Sequence, residues 1–319
     1  MRAVLLRAFG PPSALAATDL ADPVAGPGQV LIEVELASIT FVETQVRAGK
    51  PPNPAMLPAL PVVLGNGVGG HVAGVGPGVD PALLGRLVVS TTGGSGGYAE
   101  LVAVDAAGLI SVPEGLTLAD AVALLADGRT AMSLIRQAAP QAGETVLVEA
   151  AAGGVGSLLV QLARNDGARV IGAAGGPRKL ALAAELGADV TVDYTLAGWA
   201  EGLRSETIDV AFDGVGGAVG RGAFELVTLG GRFCSFGLAS GAFTQISPTE
   251  AADRNIKVLR GGPLTPHDMR ELTRAALAEA AAGRLRPIIG QTFTLEHAAE
   301  AHAAMEGRAT IGKTLLTVR

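Results

Sequence analysis

The sequence predicts an α/β fold: a doubly wound parallel sheet preceded by a β-rich, barrel-like unit. Three observations carry this. Residues 1–120 break into short apolar runs separated by Pro/Gly turns. From about residue 124 strand and helix patterns alternate, the order that builds a parallel sheet with helical crossovers. Within that alternation, Thr145-Val-Leu-Val-Glu-Ala-Ala-Ala-Gly-Gly-Val-Gly156 runs from a β-branched strand through a glycine cluster into Ser157-Leu-Leu-Val-Gln-Leu-Ala163, an amphipathic helix.

Taken in order, Met1-Arg-Ala-Val-Leu-Leu-Arg7 reads as a first strand, because charge interrupts the apolar run too soon for a secretion signal. Strands are expected at 29–36, 70–75, 87–90 and 98–104, with Pro27-Gly28 and Gly76-Pro-Gly78 as turns. Thr117 is placed to cap a helix starting at Leu118. Sheet strands follow at 145–150, 168–173, 189–193, 208–213, 231–236 and about 256–259, six in all. Residues 268–283 read as an Ala-rich helix ended by Gly283, and 313–318 as a last strand. The expected division is 124–262 as the nucleotide-binding domain, with 1–123 and 263–319 forming the other.

The glycine cluster carries the chemistry. Ala151, Gly153 and Gly156 stand at the glycine positions of G-x-G-x-x-G, so the first glycine is alanine. Small residues let backbone approach a pyrophosphate, and the helix behind offers unpaired N–H groups and a positive dipole end. With a second strand after a crossover, this is a Rossmann dinucleotide-binding unit. A side chain at Gly154 is expected to stand against the pyrophosphate. An NAD site commonly ends the second strand in Asp or Glu, to bind ribose hydroxyls. Here Gly172-Ala-Ala-Gly-Gly-Pro177 carries no acid, and Arg178-Lys179 follow at once. Two cations beside small residues suit a 2′-phosphate, which predicts NADPH.

The 319 residues suffice for two cores, and 45 glycines with only 3% aromatic residues predict tight packing of small side chains. A net charge of −6 with scattered basic residues argues against nucleic acid or an anionic membrane as partner. No apolar run reaches the length of a membrane span. One cysteine, Cys234, excludes an intrachain disulfide, and a cytoplasmic protein is expected. His71, His267, His297 and His302 show no ligand spacing, and one cysteine cannot build a four-thiolate site, so no metal is expected. His297 and His302 are expected to face solvent or cap a helix. Asp213 reads as a structural acid at a strand end.

Gly26-Pro-Gly-Gln-Val-Leu31, Gly143-Glu-Thr-Val-Leu147, Ala150-Ala-Ala-Gly-Gly-Val-Gly156, Gln161-Leu-Ala163, Glu185-Leu-Gly-Ala-Asp189, Asp213-Gly-Val-Gly216, Gly230-Gly-Arg232 and Gly312-Lys313 span nearly the whole chain. Together they resemble the medium-chain dehydrogenase/reductase superfamily, and within it the zinc-independent NADPH:quinone oxidoreductase family. The resemblance implies a GroES-like β-barrel domain before the Rossmann sheet. Where the zinc branch places Gly-His-Glu, this chain has Gly65-Asn66-Gly67.

The same resemblance implies the site. Cofactor contacts fall on Ala152, Gly153, Gly154, Val155, Gly156, Gly175, Arg178 and Lys179. Thr130 matches a threonine by the nicotinamide ribose, and Tyr194 a tyrosine beside the 2′-phosphate. Val215, Phe236 and Leu238 match the nicotinamide end. Arg260 matches an arginine near the adenosine end or the substrate mouth, and equally suits a surface ion pair. Lys313 either reaches the cofactor or begins an edge strand. On the substrate side, Thr40 replaces the family's asparagine and Gln45 its first tyrosine, while Arg47 matches. Without zinc there is no Lewis acid to polarise an alcohol, which favours conjugate hydride transfer to a quinone or α,β-unsaturated carbonyl. The departures at Thr40 and Gln45 argue against the family's usual small quinone. Two alternatives stay open: an enoyl-thioester reductase with a basic mouth at Arg47 and Lys50, and a silent NADPH-binding sensor. The last sheet strands carry no charge cluster to blunt an edge, so a homodimer is expected.

Overall fold

The computed structural model describes residues 1–262 and 264–319 and comprises two compact units, Met1–Ala126 with Pro287–Arg319, and Asp127–Arg286. The first unit begins with β1 (Arg2–Leu6), β2 (Leu15–Asp19), β3 (Gln29–Ile39), α1 (Phe41–Arg47), β4 (Val62–Val63) and β5 (Gly67–Val75). It continues through β6 (Leu87–Thr91), β7 (Leu101–Asp105), β8 (Ile110–Ser111) and α2 (Leu118–Leu124). The second unit holds α3 (Asp127–Ala138), β9 (Thr145–Glu149), α4 (Gly154–Asn165), β10 (Arg169–Ala174), α5 (Pro177–Glu185) and β11 (Val190–Asp193). Then come β12 (Ile208–Asp213), α6 (Gly217–Leu226), β13 (Val227–Ser235), α7 (Pro248–Asp253), β14 (Lys257–Arg260) and α8 (Pro266–Ala281). The chain re-enters the first unit as β15 (Ile289–Thr294), α9 (Ala298–Glu306) and β16 (Lys313–Thr317).

β3 organises the first unit. Val30, Ile32 and Val34 alternate inward, and the strand pairs with β5, β7 and β16. Its register against β5 slips between Val34 and Leu36, and Ala37 and Ile39 then continue the buried face. At Gly70 a Cβ would stand 1.9 Å from the Glu33 carbonyl oxygen, so only glycine fits this close strand pair. The strand runs three residues past the expected end at 36, because β16 supplies partners opposite Leu36 to Ile39. That non-local pairing carries the chain to Thr40, the cap of α1. β16 itself lies between β15 and β3 and is not an edge strand, contrary to one reading of Lys313.

In the second unit six parallel strands take the order β11-β10-β9-β12-β13-β14, with the reversal at β9 and β12. This is the doubly wound topology whose ligands bind beyond the strand C-termini near the reversal. Leu147, Ile171, Ala211, Phe224 and Phe233 form its buried core. β13 starts at Val227, four residues before expectation, because α6 passes into it without a loop. α8 packs on α3 through its buried Leu272, Ala276 and Leu277, which groups it with this unit rather than with the C-terminal return. Pro263, the expected boundary residue, lies outside the described residues. No helix among the described residues is long and apolar enough to cross a membrane.

His302 departs from expectation. It lies on α9 with no exposed surface, its Nε2 3.1 Å from the hydroxyl of the equally buried Tyr98. His297 alone stays exposed, bonded through Nδ1 to Thr294. The helix face set by Ala298, Ala301 and His302 points into the core, which five-residue spacing between two histidines did not reveal. Burial, with the nearby Arg47 charge, lowers the His302 pKa to about 3. The imidazole is therefore neutral in the fold, while the unfolded chain takes up its proton near pH 6.5. Stability is present above that pH and is lost as pH falls from about 6.5 toward 3. Urea unfolding at pH 7 and pH 4.5 should show the wild type losing about 2–3 kcal/mol more than His302→Gln over that interval. Equal losses would show that the imidazole is not held neutral.

Candidate functional site

β9 ends at Glu149, and the chain turns at Ala150, whose φ of 49° is the left-handed residue of the turn. Ala151, at the first position of the glycine pattern, is outside that strained region, so alanine is accepted there. The Gly153 N–H donates to the Ala150 carbonyl at 2.7 Å, and α4 begins at Gly154. A Cβ on Gly156 would stand 2.2 Å from that same carbonyl oxygen, so glycine lets the helix lie directly on the strand end. The first-turn N–H groups of Gly154, Val155 and Gly156 have no intrahelical acceptor and suit an anion. Ala152 is buried within the turn. A Cβ on Gly154 would meet Asp127 Oδ2 at 2.0 Å, so the Asp127 carboxylate, rather than a pyrophosphate, is the first obstacle to a side chain there.

β10 ends in two alanines, followed by Gly175 and Gly176 and the Pro177 start of α5. Arg178 is exposed and Lys179 half-buried on the first turn of that helix. Gly175 packs beneath Tyr194, a Cβ on it falling 3.6 Å from the ring and 2.9 Å from Thr195 Cγ2. Gly175 and Tyr194 are thus in contact, with Arg178 and Lys179 on the helix that follows. The sequence reading missed an acid here: Asp193, at the end of β11, accepts the Gly176 N–H at 3.0 Å. Bonds from the Thr195 hydroxyl and N–H hold its carboxyl below the usual range. The acid lies on the third strand, where inspection of the second could not find it.

The ends of β12 and β13 meet through two glycines, since a Cβ on Gly237 would stand 2.2 Å from the Gly214 carbonyl oxygen. Val215 accepts the Ser240 N–H at 2.8 Å and its own N–H donates to Glu149 Oε2 at 3.1 Å. The loop carrying Phe236 and Leu238 is thereby tied to the Val215 turn. Asp213 is structural, as expected: it accepts the Gly216 N–H at 2.6 Å and the hydroxyls of Ser235 and Thr244. Burial, and Asp213 beside it, push the Glu149 carboxyl well above the usual range. Its Oε1 is buried with no donor, and the neighbouring Asp213 carboxylate disfavours a second negative charge there. Thr130, Phe236 and Arg260 line one cavity of about 550 Å³ within this unit.

In the first unit, Thr40 caps α1 with Glu43, a T-x-x-E capping box that the sequence reading passed over. Both the Thr40 N–H and its hydroxyl donate to Glu43 Oε2, and the Asn66 N–H donates to Oε1 at 2.9 Å. The hydroxyl proton of Thr40 is thus committed to Glu43, leaving the oxygen as an acceptor. Lys313, 3% exposed at the start of β16, adds its charge beside Glu43. Burial still raises the Glu43 carboxyl above the usual range. Gln45 is half-buried, with Oε1 buried and unpartnered. Arg47, expected beside substrate, is instead 1% exposed, and its guanidinium holds Glu306 and the Thr44 carbonyl. It cannot present charge at a mouth.

Zinc donors are not brought together. Asn66, in place of the histidine of the zinc branch, spends its side-chain oxygen on the Gly94 N–H. Cys234 is buried in β13, where burial pushes its thiol up to about 12. Such a thiol does not supply the thiolate that zinc requires. Among the described residues no three His, Cys, Asp or Glu side chains gather as a ligand set.

A doubly wound nucleotide-type sheet, with its glycine turn, alongside a β-rich unit marks the class of two-unit pyridine-nucleotide oxidoreductases. Residues 26–114 match the alcohol dehydrogenase GroES-like domain family, and residues 186–316 the family described as zinc-binding dehydrogenase. The chain is 31% identical to a quinone oxidoreductase of Pseudomonas aeruginosa, over 97% of each. It is 32% identical to a 2-haloacrylate reductase of a Burkholderia species, over 91% of each. The Escherichia coli quinone oxidoreductase complexed with NADPH superposes with a TM-score of 0.90 at 27% identity, over 100% of both chains. The chain belongs to the medium-chain dehydrogenase/reductase superfamily, in its quinone oxidoreductase family.

The Glu149–Asp213 pair makes a prediction. A carboxyl whose pKa is raised in the fold contributes stability below its unfolded pKa that is lost as pH rises. Glu149→Gln, a neutral copy of the protonated form, should fold, keep cofactor affinity within about threefold, and remove that part of the decline as pH rises above the usual carboxylate range in urea unfolding. An unchanged pH profile would show that Glu149 is ionised in the fold.

Proposed function

We propose that this oxidoreductase uses NADPH, without zinc, to transfer hydride to a quinone or an α,β-unsaturated carbonyl. The observation that carries the reading is the glycine turn beside an acid-free β10 end followed by Arg178 and Lys179. These residues fit NADPH: helix donors at Gly154, Val155 and Gly156 for the pyrophosphate, two cations and Tyr194 for the 2′-phosphate. NADPH complexed to the E. coli relative supports this choice. When bound, NADPH supplies the hydride. Thr130, Val215, Phe236 and Leu238 orient its nicotinamide end, and Lys313 holds the Glu43 network beneath Thr40. Thr40 and Gln45 of the first unit are assigned to acceptor recognition, Thr40 offering an acceptor oxygen rather than a donor. The quinone oxidoreductase and 2-haloacrylate reductase relatives both support an acceptor with a conjugated double bond. A basic mouth for an enoyl thioester loses support, because Arg47 is buried. The silent-sensor reading is decided by turnover. We place the enzyme in the cytoplasm with a small-molecule substrate and no nucleic-acid partner, in keeping with its charge of −6.

Lys179→Ala should weaken NADPH by about 1–3 kcal/mol in fluorescence titration while leaving NADH nearly unchanged. Tighter binding of NADH than of NADPH by the wild type would overturn the coenzyme choice.

Hydride transfer by orientation needs no indispensable side chain. Thr40→Ala should therefore lower turnover of an accepted quinone or enone by no more than about tenfold, because the substitution loosens the Glu43 cap of α1 without removing a donor from the acceptor. A loss beyond about a thousandfold would reveal a dedicated catalytic role. Tight NADPH binding with no acceptor turned over would favour the sensor.

β14 stands at the end of its sheet and pairs only with β13 among the described residues. We propose that two copies continue the sheet through this edge. Light scattering should give twice the 31.9 kDa chain mass, and a monomer at micromolar concentration would refute it.

A further inference from the structure

The cavity of about 550 Å³ in the second unit carries two guanidinium groups, from Arg129 in the first turn of α3 and Arg260 at the end of β14. Neither makes a hydrogen bond or an ion pair among the described residues. Among the described residues no Asp or Glu lines the cavity; Leu134, Phe236 and Phe243 form apolar wall, and Thr130 and Ser133 add hydroxyls. Arg129 is half-buried, and burial lowers its pKa, with Asp127 on the same turn only partly compensating. For Arg129, leaving the five N–H donors of a guanidinium unmatched in a partly desolvated site costs free energy that an anionic ligand recovers, while Arg260, which is exposed, adds its charge at the rim.

Both phosphate groups of NADPH already have donors elsewhere in this unit. The pyrophosphate is assigned to the turn after β9, and the 2′-phosphate to Arg178 and Lys179 after β10. β10 lies three strands from β13 and four from β14. At the usual strand spacing that separates the 2′-phosphate donors from the ends of β13 and β14 by roughly 15–20 Å. The anion this cavity receives is therefore a second one. Thr130 and Phe236, which the proposed reading places at the nicotinamide end, share its wall.

We propose that Arg129 and Arg260 bind a carboxylate carried by the acceptor, so that the preferred substrates are α,β-unsaturated acids rather than neutral quinones. This rests on the reductase reading above. In the reaction, hydride from NADPH forms a C–H bond at the β-carbon and the C=C electron pair moves onto the carboxylate oxygens. Water then supplies a proton to the α-carbon, leaving the saturated acid and NADP⁺. The two cations offset the charge that accumulates on the carboxylate.

The test compares 2-chloroacrylate with its methyl ester in the wild type, Arg129→Leu and Arg129→Lys. In Arg129→Leu the ratio of kcat/KM for the acid to that for the ester should fall at least 30-fold, and Arg129→Lys should restore part of it. NADPH affinity, read by fluorescence, should stay within twofold. Calorimetry with 2-chloropropionate on NADP⁺-loaded protein should show saturable binding that Arg129→Leu abolishes. Equal losses for acid and ester would overturn the proposal. So would NADPH binding weakened more than tenfold, which would assign the arginines to a cofactor phosphate. If the wild type reduces the ester or a quinone but neither reduces nor binds the acids, the carboxylate site falls and the reductase stands. If it reduces no acceptor, the reductase reading falls, and the calorimetric result alone upholds or overturns the site.

Discussion

The close seating of α4 on the end of β9 governs the second unit. Gly156 lies so near the Ala150 carbonyl that no side chain fits between them, and the left-handed Ala150 turns the chain to allow it. This contact sets where the helix N–H groups point. It also places Glu149 against the Val215 turn and Gly154 against Asp127 of α3. A larger residue at 156 would move the helix, and with it the donors, Asp127 and the α3 turn that carries Arg129 and Thr130. One glycine thus ties the phosphate donors to the proposed acceptor pocket through backbone packing.

Buried carboxyls do the corresponding work at the ends of strands. Asp213 gathers one N–H and two hydroxyls, and Glu149 reaches the neighbouring turn, so the loops after β9, β12 and β13 are held by side chains instead of regular ladder bonds. Loops at this end of a parallel sheet must stay open to a ligand, which removes the option of covering them with apolar surface. In the first unit Glu43 does the same for Thr40 and Asn66, with Lys313 as counter-charge. Asp213 and Glu43 leave water where several donors meet them, the condition under which buried carboxyls are tolerated. Glu149, by contrast, has one donor, and its carboxyl is pushed well above the usual range.

Charge is distributed differently at the two arginine sites. Arg47 is enclosed with Glu306 and contributes to the interior of its unit. Arg129 and Arg260 line a cavity with no carboxylate among the described residues, so their charge is available to whatever enters. From residue type alone the three are equivalent, and only their surroundings separate a structural cation from one available to a ligand.

The chain by itself determined the secondary elements of the Rossmann half, the glycine turn and the acid-free end of β10. These depend on local periodicity and on which residues tolerate a tight turn, both readable over ten to twenty positions. The T-x-x-E box at Thr40 was equally local and could have been read. What only the tertiary structure decided were contacts between distant segments: β16 extending β3 to Ile39, His302 meeting Tyr98, Arg47 closing on Glu306, and Arg129 sharing a cavity with Arg260. Burial belongs to the neighbours a residue acquires when strands far apart in the chain pair. No window along the sequence contains those neighbours, so whether a His or Arg is core, cap or ligand site emerges only from the folded packing.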